Sequence, residues 1–324
     1  MTEKPWAGPT STAAQGRGAF GQTGPLGMID PEARFPHAPL PFRPRLTWPG
    51  GARLAVWVCP NIEHYEFMPA QQGSPRDPWP RTPHPDVLSY SLKDYGNRAG
   101  VWRMMEVLDH HGIRGSVSFS MSVGEMFPQV LDGMLKRDWD VFSHGLYNTR
   151  YHWNLSEEAE RAEILASVEA WRRMTGRQLR GWFSPAASNT LVTPDLVAEA
   201  SISYITDFYH DDQPVPVRVR SGRLVSIPYQ MDLNDAVMIG AAANEGEDFL
   251  RTAIDMFDTL YAEGEAQPRV MCVALHPYLM GRPHRIGYLD RILAYMRKHE
   301  GVWFATGAEM ADWYLAHHYD AAMR

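Results

Sequence analysis

The stretch RLAVWVCPNIEH, residues 53–64, decides how the chain is read. It runs apolar without a break from Leu54 to Cys59 and then turns polar, with Asn61, Glu63 and His64 in quick succession. A short unbroken run of this kind is the pattern of a strand covered on both faces. Ionisable groups just past its end sit where barrel-type α/β enzymes build their sites, at the carboxyl ends of strands.

The same unit repeats downstream. Val101, Met104, Met105 and Leu108 fall at helical spacing and predict a helix over 99–111, stopped by Gly112. Further strands are predicted at 115–121, 140–143, 179–184, 203–208, 223–230, 270–276 and 302–306. Helices are predicted at 124–137 (interrupted by Pro128), 156–175, 193–200, 248–262, 288–299 and the C-terminus. Ser156 is placed to cap its helix, with Glu157 and Glu158 in the positive first turn.

Strands alternating with helices, with no shift in composition, predict one α/β domain over 51–324 built on a parallel sheet. A (β/α) barrel fits better than an open sheet, because polar residues follow several different strands. Residues 1–50 are rich in Gly and Pro and read as an extended N-terminal arm. The arm is expected to lie on its own barrel or on a neighbouring subunit, and a homo-oligomer is expected on that ground. The Pro- and Asp-rich stretch from 66 to 97 is too long for a simple connection and is read as a loop forming a lid or rim.

Composition removes several function classes. With 44% hydrophobic and 21% charged residues, a chain of 324 residues can bury a large core, which excludes disorder of the whole chain. A net charge of −7 without a basic run interleaved with aromatics argues against nucleic acid as a partner. The apolar runs are far too short to span a bilayer, and the first thirty residues lack a secretory apolar region. A cytoplasmic protein acting on a small molecule is therefore expected. Cys59 and Cys272 lie inside apolar runs and read as buried reduced thiols. No G-x-G-x-x-G or Walker sequence is present, so a nucleotide cofactor is unsupported.

Five polar clusters fall at predicted strand ends: Asn61, Glu63 and His64; His144 with Asn148; Arg180 with Trp182; Asp207, His210, Asp211 and Asp212; and His276. Any one of them alone reads as a satisfied loop residue. Together on one face they read as a site. Glu63 is the candidate general base, provided burial raises its pKa toward neutral. His276 is the candidate general acid, and Arg180 would orient Glu63 or an acid of the fourth cluster. The oxyanion would fall to His144, to backbone N–H groups or to a metal. The competing readings are a purely structural Glu63–Arg180 ion pair and a strand-end His276 bonded to backbone. Trp182 is read as a pocket wall, and His64, next to Glu63 on a strand, is expected to point the other way unless the strand has ended. Ser184 lacks the G-x-S-x-G setting of a nucleophile, and neither cysteine sits in a cationic loop.

From Arg53 onward the chain resembles the polysaccharide deacetylase superfamily, which implies a distorted (β/α) barrel and a carbon–nitrogen hydrolase. The resemblance rests on the pair Glu63-His64, on His144 with Asn148 four residues on, on Arg180 to Pro185, and on Ala274-Leu275-His276. In metal-dependent members the first motif carries a base followed by a metal-binding acid, and the second carries two metal-binding histidines. Here His64 stands for that acid and Asn148 for the second histidine. The resemblance thus implies either one zinc-like divalent ion on His64 and His144, completed by Asp211 or Asp212, or no metal. The run from Trp48 to Arg53 and the strand end Asn61-Ile62-Glu63-His64 resemble the metal-independent allantoinase and cyclic-imide hydrolase branch. Asn61, His64, His144, Asn148, Trp182, Asp211 and Asp212 are accordingly expected to bind substrate. DDQP (211–214) and NDA (234–236) also stand out, without an assigned role.

The expected function is hydrolysis of a small amide, cyclic imide or ureide by acid–base attack of water. The alternatives are a metal-dependent N-deacetylase of an acetylated sugar and a barrel that binds a small ligand without catalysis.

Overall fold

The computed structural model describes residues 33–69 and 85–323. β1 (Leu54–Ile62) is followed by α1 (Val87–Tyr95) and α2 (Val101–His111), which are joined by a π turn over Gly96–Gly100. Next come β2 (Ser116–Phe119), α3 (Met121–Met126), α4 (Pro128–Lys136), β3 (Asp140–Ser143), α5 (Glu157–Thr175), β4 (Gly181–Trp182) and α6 (Thr193–Glu199). The chain continues through β5 (Tyr204–Ile205), β6 (Val215–Val217), β7 (Leu224–Ser226), α7 (Gly246–Glu263) and β8 (Arg269–Leu275). It closes with α8 (Ile286–Met296), β9 (Val302–Phe304), α9 (Gly307–His317) and α10 (Tyr319–Ala322).

One sheet runs β6-β7-β5-β4-β3-β2-β1-β8, with β9 against the start of β1. Every ladder is parallel except the β6–β7 hairpin. The sheet curls into a distorted barrel, bringing Trp57 of β1 to 5.7 Å from Phe142 of β3 and 6.2 Å from Tyr229 beyond β7. Among the described residues no strand ladder joins β8 to the far edge, only an isolated parallel bridge between Asn234 and Ala274. The side chain of Gln230 fills that gap as a peptide unit would, donating to the Val270 carbonyl at 3.0 Å and accepting from the Cys272 N–H. A strand edge is covered in this way without another strand.

Strand alternation sorts the residues of β1 and β8 between two cores. Ala55, Trp57 and Cys59 pack inside the barrel with Val270, Cys272 and Ala274. Leu54, Val56, Val58 and Ile62 face the helix layer, with Met271, Val273 and Leu275. Continued past the strand ends, the same alternation sends Glu63 and His276 inward.

Two expectations need correcting. The stretch 66–97 is not all loop: α1 lies within it, started by Asp86, whose carboxylate accepts from the Ser89 N–H at 3.0 Å. A side chain of this type at the N-cap satisfies a helix donor that has no partner within the helix. Residues 70–84 of the expected lid lie outside the described residues. Beyond residue 213 the chain forms the antiparallel β6, where no strand is predicted; Pro216 at the sheet edge masks the strand signal.

Of the N-terminal arm, 1–32 lie outside the described residues, and the remainder runs over the chain's own barrel. Arg34 makes a two-pronged pair with Asp195 (2.9 Å for both contacts), with both side chains fully buried. Arg43 pairs with Asp211, and the Trp48 indole donates to the Arg269 carbonyl at 3.1 Å. Among the described residues no helix is long and apolar enough to cross a membrane.

Candidate active site

The inward residues past the ends of β1, β3 and β8 meet in a cavity of about 430 Å³. Asn61, Glu63, His144, Asn148 and His276 all line it, joined by Tyr65, Phe183, Tyr229 and Asn234. Glu63 is at the centre. Its Oε1 lies 3.3 Å from His144 Nε2 and 3.5 Å from His276 Nε2, and Tyr65 donates its hydroxyl to Oε2. The Asn97 amide holds the Glu63 carbonyl at 2.9 Å from the π turn. That turn packs directly on the loop after His276: a Cβ at Gly100 would lie 1.9 Å from the Pro277 carbonyl oxygen, so only glycine fits there.

Each imidazole is anchored from behind. The His144 Nδ1 faces the Phe183 carbonyl at 3.1 Å, which can only accept, so Nδ1 carries a proton. The His276 Nδ1 is 2.7 Å from Asp235 Oδ1, and the same carboxylate accepts the backbone N–H of His276 at 2.9 Å. Asn148 donates to the Tyr65 hydroxyl at 2.6 Å and accepts the Ala186 N–H at 2.9 Å. Tyr229 links Asn61 (2.9 Å) and Asn234 (3.2 Å) on the opposite wall.

The electrostatics differ from the expectation for Glu63. Burial alone would raise its pKa, but the charge of His276 and the hydrogen bonds from His144 and His276 prevail and hold it well below the ordinary carboxylate range. Burial likewise works against a charged His276. The Glu63 and Asp235 carboxylates outweigh it and push His276 up to about 10. The resting pair is a carboxylate facing an imidazolium. Tyr65 is pushed up by burial and by the Glu63 charge, so its phenol stays protonated and donates.

Five other expected site residues are placed elsewhere. Arg180 precedes β4 rather than following it, so it lies at the opposite end of the barrel, paired with Asp312 of α9. It cannot orient Glu63. Trp182 belongs to the outer face of β4 and is fully buried in the core beside His152; its neighbour Phe183 is the inward residue and forms the wall. His64 turns outward as strand alternation requires, with Nδ1 at 3.0 Å from Ser122 Oγ, and its ring packs among Tyr90, Phe127 and Tyr147. Asp211 is taken up by Arg43 of the arm, and the Asp212 carbonyl accepts the Val270 N–H near the start of β8, far from the cavity. The remaining acid of that cluster, Asp207, is buried under Ser184 and accepts its N–H (2.9 Å) and hydroxyl (3.1 Å).

Sequence reasoning missed Asp235 and Tyr65. The NDA segment was noticed, but its link to His276 spans forty-one residues and closes only in the fold. Tyr65 had a usable signal, since it follows Glu63 by two and so projects to the same side.

The polysaccharide deacetylase family model matches residues 83–205. A Schizosaccharomyces pombe protein named "Putative polysaccharide deacetylase" is 28% identical, aligned over 85% of this chain and 94% of its own length. Among solved structures, a probable polysaccharide deacetylase from Pseudomonas aeruginosa PAO1 superposes with a TM-score of 0.77 at 28% identity, covering 85% of this chain and 95% of that one. Residues 83–205 thus carry a match to the polysaccharide deacetylase family, and the fold as a whole is similar to that of the deacetylase structure. PuuE allantoinase superposes equally well, with a TM-score of 0.78 at 27% identity over 88% of this chain and 98% of that one.

The resemblance raises the question of a divalent ion, which needs at least three donors around one point. The donor set does not fit one. His64 is turned into the helix layer, and both ends of the Asn148 amide are engaged. Between His144 and His276 the carboxylate of Glu63 itself occupies the meeting point. Among the described residues, the one set of three His, Cys, Asp or Glu ligand atoms close enough to share an ion is His110, His111 and Asp290, on the helix layer outside the cavity.

Proposed function

We propose that this chain hydrolyses a carbon–nitrogen bond in a small amide, cyclic imide or ureide. One observation carries the reading: Glu63 lies between two anchored imidazoles at the head of an aromatic-walled cavity. The likeness to PuuE allantoinase and to deacetylases supports the bond type.

Hydrolysis of an amide needs an activated water, stabilisation of the carbonyl oxygen and a proton for the leaving nitrogen. Substrate entering between Glu63 and His276 widens their 3.5 Å contact. That weakens the attraction holding the Glu63 pKa down and restores its basicity when a water stands beside it. Glu63 Oε1 then takes a proton from the water as its oxygen attacks the carbonyl carbon. His276, kept protonated by Asp235, delivers a proton to the nitrogen as the carbon–nitrogen bond breaks. Asn61, Asn234 and Tyr229 supply a polar wall suited to the planar edge of an amide or imide.

The second reading, an N-deacetylase of an acetylated sugar, is favoured by the family match over 83–205 and by the names of the relatives. A panel of cyclic imides, ureides and N-acetylated sugars separates the two. Ring opening of at least one cyclic substrate, lost by 10²-fold or more in Glu63→Gln, is the expected result (a general base contributes about 10²–10⁴). Acetate release from the sugars without ring opening overturns the first reading in favour of the second. No turnover on any of them, with ligand binding retained, makes the barrel a binding protein.

A further inference from the structure

We infer that Tyr65 and Asn148 form a one-way hydrogen-bond clamp that fixes Glu63 in its working orientation, with Tyr65 as a positioning residue. The inference deepens the hydrolase reading and rests on it for its kinetic consequences only.

The polarity of the clamp follows from one backbone group. The Ala186 N–H can only donate, and it lies 2.9 Å from the side-chain oxygen of Asn148. That contact fixes which end of the amide is which, a choice that symmetric surroundings would leave open. The Asn148 NH₂ group is therefore the end facing the Tyr65 hydroxyl, 2.6 Å away, and the Tyr65 oxygen must accept. Two oxygens are then within reach of the phenolic proton, Glu63 Oε2 and the Tyr278 hydroxyl, and the charged carboxylate is the stronger acceptor. Ala186 and Ala187 both hold positive φ (50° and 53°), a conformation alanine rarely adopts, and this brings the Ala186 N–H to Asn148. Asp207 holds the start of that turn through the Ser184 N–H and hydroxyl.

The consequence is a carboxylate with its two oxygens assigned to different tasks. Oε2 is occupied by Tyr65, whereas Oε1 alone faces His144 and His276, where water and substrate meet. The charged and titratable groups around it are His144 from the end of β3, His276 with Asp235 behind it from the end of β8, Tyr278 beyond β8, and Lys93 from α1. The Lys93 ammonium lies 3.8 Å from the centre of the Tyr65 ring. Burial in this company keeps the phenol a donor. A hydrogen bond to a charged group is among the stronger ones in proteins, so its loss should be visible in rate.

Two measurements test the clamp. The first needs no substrate: proton NMR of the full chain at pH 7 should show one slowly exchanging hydroxyl proton far downfield. It should vanish in Tyr65→Phe, move upfield in Glu63→Gln and persist in Arg180→Ala. The second is steady-state kinetics on whichever amide the wild type turns over. Tyr65→Phe should lose about 10- to 100-fold in kcat with KM within a few-fold. Asn148→Ala should lose less, because Tyr65 still reaches Glu63. A wild-type spectrum without a proton assigned to Tyr65, or a Tyr65→Phe enzyme with unchanged kcat, overturns the clamp while leaving the hydrolase reading intact. The proton present in a chain that hydrolyses no amide upholds the clamp and removes the hydrolase reading.

Discussion

The carboxylate of Asp235 grips His276 twice, accepting its ring Nδ1–H at 2.7 Å and its backbone N–H at 2.9 Å. A third donor, the Met280 N–H at 3.2 Å, completes its shell, and Asp235 itself is fully buried. This double grip fixes both the direction of the imidazole and the nitrogen that faces Glu63. A histidine aimed and charged in this way is a ready proton donor, and four consequences of the arrangement can be measured.

Asp235→Asn keeps an oxygen for the backbone N–H but removes the negative charge. His276 then loses one of the two carboxylates that push it up to about 10, and its proton leaves at lower pH. The wild-type kcat/KM profile should stay level on the alkaline side to about that value. The variant should show its alkaline limb shifted toward neutrality and lose about 10²-fold at pH 8. A pH–rate series on both proteins decides it, and an unmoved alkaline limb would sink the assignment of His276 as the acid.

Stability carries the same signature with a defined sign. His276 binds its proton more tightly folded than unfolded, so its contribution is fully present below the unfolded value near 6.5. It is lost as pH rises through about 10. Glu63 acts at the other end: its contribution is present above the unfolded carboxylate value and fades as pH falls toward its depressed folded value. Denaturant melts at pH 7 and pH 10 should show a loss on the order of 1–3 kcal/mol at the higher pH. The difference should shrink in His276→Gln.

Trp182 and Phe183 are neighbours with opposite fates. Trp182→Ala empties a core position and should cost about 3–5 kcal/mol in a denaturant titration. Phe183→Leu keeps most of the volume and should cost under about 1.5 kcal/mol. Its effect should appear instead in KM, because the ring stacks on His144 with centroids 4.7 Å apart and lines the cavity. Equal stability losses in the two variants would contradict the assigned faces of β4.

Arg180 serves as the control. It pairs with Asp312 at the barrel's far end, where both side chains are partly exposed. Arg180→Ala should leave kcat/KM within two-fold of wild type and cost no more than about 1 kcal/mol. A hundred-fold loss of activity would mean that the two barrel ends are coupled.

The barrel was legible from residues 53–64 and from the alternation that follows, because a strand buried on both faces leaves an unbroken apolar run in the chain. Glu63, His144 and His276 could be picked out for the same reason, as ionisable groups just past such runs. Arg180 misled because the strand predicted over 179–184 includes it, whereas β4 begins only at Gly181 and leaves Arg180 just outside its amino end. Trp182 misled because a short apolar strand looks alike on its two faces until the sheet curls. Asp211 and Asp212 shared a sequence cluster with Asp207 yet sit under the arm, since a loop's residues part company wherever the loop turns.

What the amino-acid order determined by itself is therefore most of the element types, their parallel arrangement and five of the groups at the cavity, Asn61, Glu63, His144, Asn148 and His276. These depend on local periodicity, which each strand and helix carries in its own residues. The tertiary structure alone decided that Asp235 stands behind His276. It also decided that Asn148 is held by a backbone N–H from another loop. Those contacts join segments tens of residues apart, and their protonation states follow from burial and neighbouring charge, which exist only once the barrel has closed around them.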